Sequence, residues 1–209
     1  MDSSSIEAQL HELERLILAW PGLMAGADRA LVDDSLVLLD HLGGARSLVD
    51  VGSGAGLPGI PIKIARPELA VTLIEADQDK AAFLVHACAR LRLAKVEVLA
   101  MRAEEAGHVP KLREAFDVAV ARALAPLPVL VELCLPLVRV GGRLLAQKTA
   151  AEDPTSATRA IELLGGELSG VVAAASVARS AGTIVVIDKV RSTPDVYPRR
   201  PGLPARKPL

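Results

Sequence analysis

Aromatic side chains are nearly missing from this sequence. Trp20, Phe83, Phe116 and Tyr197 are the only four in 209 residues. The core must therefore be built from aliphatic groups, with the two phenylalanines placed in it, and stacking platforms for single-stranded RNA are scarce. Cysteine is rarer still. Cys88 and Cys134 lie far apart in apolar surroundings and follow no metal-ligand spacing. They read as reduced, buried fillers and point to a reducing compartment. His11, His41, His86 and His108 have no spaced Cys, Asp or Glu partners, so no metal is expected. No apolar run reaches the roughly 18–20 residues of a membrane-spanning helix. The stretch VLVELCLPLVRV is cut by Glu132, Pro136 and Arg139. The opening MDSSSIEAQLHELERL places acids early and lacks a basic-then-apolar order, unlike a secretory leader, so a cytoplasmic protein is expected. G-x-S-x-G is absent, which excludes a hydrolase elbow. A net charge of −1 argues against wholesale coating of nucleic acid and leaves local patches open.

What the chain does have is periodicity. Ile6, Leu10, Leu13, Ile17 and Trp20 recur at three- and four-residue steps and predict a helix over 5–20, with a second over 27–42. Beyond Gly43-Gly44 the pattern alternates. Strands are expected over 47–51, 70–76, 95–100, 116–123 and 142–148. Helices are expected over 58–66, 78–93, 127–138 and 152–164, with a helical turn over 103–106. Strands over 167–178 and 182–190 close the pattern as an antiparallel pair. This alternation predicts an α/β fold: a doubly wound, mostly parallel seven-stranded sheet of Rossmann-like type. It divides the chain into an N-terminal helical extension (1–43), the sheet domain (44–190) and a tail (191–209). The tail, RSTPDVYPRRPGLPARKPL, carries five prolines, five basic residues and one acid. Proline removes donors and fixes φ, so the tail reads as an extended cationic arm, outside sheet or helix, that reaches past the domain to phosphates.

The first strand leads into LVDVGSGAGLPGIPIKIA, residues 48–65, where four glycines and two prolines crowd together. The first strand of a doubly wound sheet delivers its end to the ligand crevice. Gly54, Gly56 and Gly59 satisfy G-x-G-x-x-G, a dinucleotide pattern. Asp50, Gly52, Gly54 and Gly56 satisfy a different spacing, suited to S-adenosylmethionine. An acid beside the first glycine repels a pyrophosphate and suits a ligand ammonium group, which favours S-adenosylmethionine. Glu75, at the end of the next strand, is placed to accept ribose hydroxyls of either ligand. Ala103-Glu104 follows the third strand, where an adenine edge could be read. Arg122 ends the fourth strand as either a brace or a ligand contact. Arg102 is either a phosphate contact or a surface residue. Lys148, at the end of the fifth strand, reads on its own as an ordinary solvated lysine.

The run VDVGSGAGLPGIPIKIARPE resembles the signature of the glucose-inhibited division protein B family, the guanine-N7 methyltransferases of 16S ribosomal RNA. The resemblance continues through TLIEADQDKAAFL, MRAEE, FDVAVARALAPL, GGRLLAQK and GTIVVIDKV, and reaches from about Ser35 to Leu209. It implies S-adenosylmethionine as cofactor, with contacts on Gly52, Leu57, Ala103, Glu104 and Arg122 and with Glu75 at the ribose. It implies 16S ribosomal RNA or the small ribosomal subunit as partner, with neither membrane nor metal. Arg122 and Lys148 become candidate catalytic residues. Guanine N7 carries a lone pair and no proton, so no general base is required, and a cation suits O6 or phosphate better than N7. Two departures stand out. The family's N-terminal asparagine-leucine-threonine element is missing, and Leu31 stands where a histidine is usual. Thr149 follows Lys148 where glycine is usual. The alternatives are a small-molecule methyltransferase on the same fold and a non-catalytic nucleotide- or RNA-binding protein. The basic tail argues against the first, and the intact loop against the second.

Overall fold

The computed structural model describes residues 3–24 and 29–209. It begins with α1 (Ser3–Ala19), α2 (Arg29–Asp33) and a 3-10 helix over Asp34–His41. The expected helix over 27–42 is thus a single α-turn that tightens into 3-10 geometry, and residues 27 and 28 lie outside the described residues. Strand and helix then alternate: β1 (Ser47–Val51), α3 (Gly59–Ala65), β2 (Ala70–Glu75), α4 (Gln78–Arg90), β3 (Val96–Ala100) and α5 (Ala103–Ala106). Next come β4 (Phe116–Arg122), α6 (Leu127–Cys134), β5 (Val138–Thr149), α7 (Thr158–Leu163), β6 (Gly166–Ala173), β7 (Gly182–Lys189) and a terminal α8 (Leu203–Arg206).

The seven strands are ordered β3-β2-β1-β4-β5-β7-β6. β1 to β5 are parallel, and β7 inserts antiparallel between β5 and β6. The order reverses between β1 and β4, the switch point where a doubly wound sheet opens a crevice at its strand ends. Period-two alternation feeds two faces. Leu48, Val71, Leu73, Val118 and Val120 join one apolar cluster with Phe83 and Leu84 of α4 and Leu10, Leu13 and Ile17 of α1. Val49, Val51, Ala119 and Ala121 join the other, with Leu127 and Leu130 of α6 and Phe116 at its edge. Among the described residues no helix is long and apolar enough to cross a membrane.

The tail departs from its reading as a free arm. It folds back along α5 and α6 and contains the one-turn α8, because a proline is tolerated in a helix's first turn. Arg199 clamps the fully buried Glu132 of α6, with Nε to Oε1 at 2.8 Å and Nη2 to Oε2 at 2.5 Å. Arg113 donates to the carbonyls of Thr193 and Tyr197. The Lys189 ammonium donates to Leu135 O and Thr193 Oγ1. Burial draws that ammonium down to about 8, against the nearby Glu114. Buried irregular backbone must find partners for its polar groups, and here cations supply them.

Candidate active site

The loop after β1 turns back over the ends of β1 and β2. The N–H groups of Gly52 and Ser53 both donate to Ile74 O, at 2.8 and 3.0 Å. Gly54 N–H donates to Glu75 Oε2 at 2.8 Å, and Gly59 N–H to Asp50 Oδ2 at 2.8 Å. Two glycines there do different work. Gly52 sits at φ +70°, and a Cβ on it would stand 2.4 Å from Leu124 Cδ1 on the opposite wall. Gly56, at φ +81°, would drive a Cβ into Ile60 and Leu84, so it is needed for packing and does not line the cavity.

Between the loop and the ends of β2, β3 and β4 lies a cavity of about 350 Å³. That is within the roughly 300–1,000 Å³ of small-molecule sites. Gly52, Gly54, Leu57, Glu75, Ala103, Glu104 and Arg122 line it, together with Met101, Arg102 and Leu124. Asp50, Gly56 and Lys148 do not.

Glu75 presents a carboxylate already set in place, with Oε2 on Gly54 N–H and Oε1 on Asp77 N–H at 2.9 Å. Each oxygen keeps a further lone pair for a ligand. Glu104 is 3% exposed. Arg102 reaches it at 3.0 Å, and Gly202 N–H, from the tail, at 2.9 Å. Burial alone would raise the Glu104 carboxyl, but these two donors outweigh it and hold the group below the usual range. Arg102, one of two open readings above, is therefore the ion-pair partner of a cavity acid.

Asp50, read above as suited to a ligand ammonium, lies off the cavity wall. It is fully buried beneath the loop, and its Oδ2 occupies the first N–H of α3. Burial pushes its carboxyl up to about 7, opposed by the Gly59 N–H and the Arg122 guanidinium. Asp50 thus braces the loop from below.

Arg122 is 12% exposed on its side chain, and its Nη1 donates to Leu31 O at 3.0 Å. Burial lowers the guanidinium from its ordinary value, while Asp34 and Asp50 pull the other way. Lys148 is turned away from the cavity. Its Nζ donates to Ala125 O at 2.5 Å and pairs with Glu152 at 3.3 Å. Glu152 in turn accepts Leu127 N–H at 2.7 Å. Lys148 therefore fastens the segment between β4 and α6. Asp34 belongs to Asp34-Ser35-Leu36, an element shared with the family, and sequence reading missed Gln147, Ser176 and Arg179, which meet it behind Arg122. The available signal at Asp34 was the pair Asp33-Asp34 set between the apolar groups of Leu31-Val32 and Leu36 to Leu39.

The family model described as rRNA small subunit methyltransferase G matches residues 27–181. The chain belongs to that family. A ribosomal RNA small subunit methyltransferase G of Roseiflexus castenholzii is 50% identical over 164 residues, covering 78% of this chain and 70% of that one. Another, from Geobacillus sp. (strain WCH70), is 37% identical and covers 99% of this chain and 92% of that one. Among solved structures, a SAM dependent methyltransferase from Aquifex aeolicus has a TM-score of 0.61 at 16% identity, covering 87% of this chain and 98% of that one. A T. thermophilus 16S rRNA N2 methyltransferase, solved with AdoMet and guanosine, has a TM-score of 0.57 at 16% identity. It covers 83% of this chain and 42% of that one. At such identities the two structures speak to the fold alone. Within the rRNA small subunit methyltransferase G family, the departure at Leu31 has a physical reading here. Arg122 bonds the backbone carbonyl of residue 31, so that contact does not depend on the side chain.

Proposed function

We propose that this chain transfers the methyl group of S-adenosylmethionine to N7 of a guanine in 16S ribosomal RNA, within the small ribosomal subunit or its RNA. Membership of the rRNA small subunit methyltransferase G family supports the reaction and the substrate class. One observation carries the choice of cofactor. Asp50 takes the first N–H of α3, and an acid there disfavours a pyrophosphate, while the cavity beyond the loop keeps a ribose-ready carboxylate in Glu75. At Gly52 the loop already touches Leu124, and an added Cβ would overlap its Cδ1.

In this reading Gly52 and Gly54 offer backbone to the amino-acid end, Glu75 holds the ribose, and Ala103 and Glu104 face the adenine. Bound S-adenosylmethionine supplies an electrophilic methyl group on a sulfonium. The chain contributes positioning. Leu57, Met101 and Leu124 exclude water, and the strand-end loops orient the reacting centres, a contribution that alone lowers barriers by several kcal/mol, on the order of 7–11 at best. Guanine N7 has no proton to remove, so no side chain acts as a base. Methylation leaves the base cationic, so Arg122 serves guanine O6 or a phosphate. Lys148 acts at a distance, by fixing the segment that carries Leu124.

The test is tritium transfer from labelled S-adenosylmethionine to 16S ribosomal RNA, to small subunits and to a small-molecule extract. Label in RNA that becomes cleavable by borohydride and aniline supports guanine N7. Label confined to small molecules, or none at all, overturns the proposal.

A further inference from the structure

The chemistry above makes no use of one heavily bonded, buried acid. Asp34 opens the 3-10 helix and is 1% exposed. Its Oδ1 accepts from Ser176 Oγ, and Arg179 Nε lies 3.3 and 3.2 Å from its two oxygens. Its Oδ2 stands 3.5 Å from Arg122 Nη1. Its backbone carbonyl accepts Gln147 Nε2 at 2.8 Å. Four segments meet on this one residue: the N-terminal helical segment, the end of β4, the end of β5 and the turn between β6 and β7. Arg122 and Gln147 are register partners across β4 and β5. Arg179 also caps Lys148 O, and Ser176 and Arg179 close the turn by exchanging backbone hydrogen bonds at 3.1 Å.

Of these partners only Arg122 reaches the cavity wall. Arg122 and Arg179 are close enough to repel each other, so Asp34 is the counter-ion that lets them sit together. A buried ion pair is a poor device for stability, because desolvation offsets the attraction. It is a good device for orientation, because a planar guanidinium held by a fixed carboxylate has few alternatives.

We propose that Asp34 is a positioning residue for methyl transfer. It holds Arg122 and the 176–179 turn as one unit beside the cavity, so that the RNA-facing wall is formed before substrate arrives. This role rests on the methyltransferase reading. It acts through Arg122, with no contact between Asp34 and substrate.

The experiment compares wild type, Asp34→Asn, Arg122→Gln and the double variant. Asp34→Asn should lower kcat on small subunits by about 10- to 100-fold, the scale of a misplacement of about 1 Å. Affinity for S-adenosylhomocysteine, measured by calorimetry, should stay within about threefold. In the Arg122→Gln background, Asp34→Asn should cost less than about twofold, because its route of action is gone. Hydrogen exchange, which needs no turnover, should rise over residues 120–126 and 174–182 together and stay unchanged in β1, β2 and β3. Equal losses in both backgrounds, or exchange rising through the whole sheet, would make Asp34 merely structural and overturn the proposal. If Asp34→Asn fails to fold, Ser176→Ala decides: it removes one donor and leaves both arginines. A three- to tenfold drop in kcat at unchanged melting temperature supports the role, and unchanged kcat overturns it. A wild type that methylates no RNA overturns the methyltransferase reading instead, whatever the exchange data show.

Discussion

Residues 52–58 and residues 191–209 are both rich in glycine or proline, and both are held against the domain by side chains from elsewhere. The partners differ in kind. In the loop, carboxylates take backbone donors: Glu75 takes Gly54 N–H, and Asp50 takes Gly59 N–H just past the loop. In the tail, both signs act: Arg113 donates to Thr193 O and Tyr197 O, while Glu114, Glu132 and Glu104 accept the N–H groups of Thr193, Arg199 and Gly202. Irregular backbone cannot satisfy itself, so its fate follows from which side chains are brought to it. Acids beneath the loop leave its outer surface open to a ligand. Side chains of both signs pin the tail, and in doing so deliver Gly202 N–H to Glu104 on the cavity wall. The two segments are therefore coupled through the site.

The largest expected effect lies on the tail side. Arg199→Ala strips a fully buried carboxylate of its guanidinium and should cost about 3 kcal/mol of stability, read from urea unfolding. It should also weaken S-adenosylhomocysteine binding several-fold by loosening Gly202 from Glu104. A stable variant that binds normally would show that the tail and the cavity are independent.

On the loop side, Gly52→Val should weaken S-adenosylhomocysteine by about 100-fold, or 2.7 kcal/mol. A β-branched residue resists φ +70°, and its Cβ would overlap Leu124 Cδ1. Near-normal affinity in the folded variant, by calorimetry, would remove the loop from the site.

Glu75→Ala should cost roughly 1.5–3 kcal/mol of binding, equally for S-adenosylmethionine and S-adenosylhomocysteine, since both carry the same ribose. Glu75→Gln keeps an acceptor for one backbone N–H and should fall between. A loss confined to the sulfonium ligand would assign Glu75 an electrostatic role at the methyl-bearing end.

A pH dependence sharpens the loop side of the comparison. The Asp50 carboxyl is raised from 3.8 to about 7 in the folded chain, so the folded state holds that proton more tightly than the unfolded state. Its contribution to stability is full below about pH 3.8 and is lost as pH rises through 7. Asp50→Asn should flatten this part of the stability profile, by at most about 1.4 kcal/mol per pH unit. Matched urea titrations at pH 5 and pH 8 check it. Parallel profiles would mean that Asp50 stays ionised throughout.

The parallel strands, the helices between them and the antiparallel closing pair were legible because periodicity is local. Apolar steps of two and of three to four report which backbone can bury them. Gly52, Gly54, Leu57, Glu75, Ala103, Glu104 and Arg122 were legible as a set, because a doubly wound sheet brings its strand ends to one crevice. Tertiary structure alone decided what lies at the far end of a long side chain. Asp50 turned inward, since the nearest unsatisfied donor was the first N–H of α3. Lys148 turned to Ala125 O and Glu152, away from the cavity. The tail's charge count was visible, but Glu132 lies 67 positions from Arg199 and Glu104 lies 98 from Gly202. Local composition carries no information about pairings at that separation, so an arm expected to reach outward folds back onto the site.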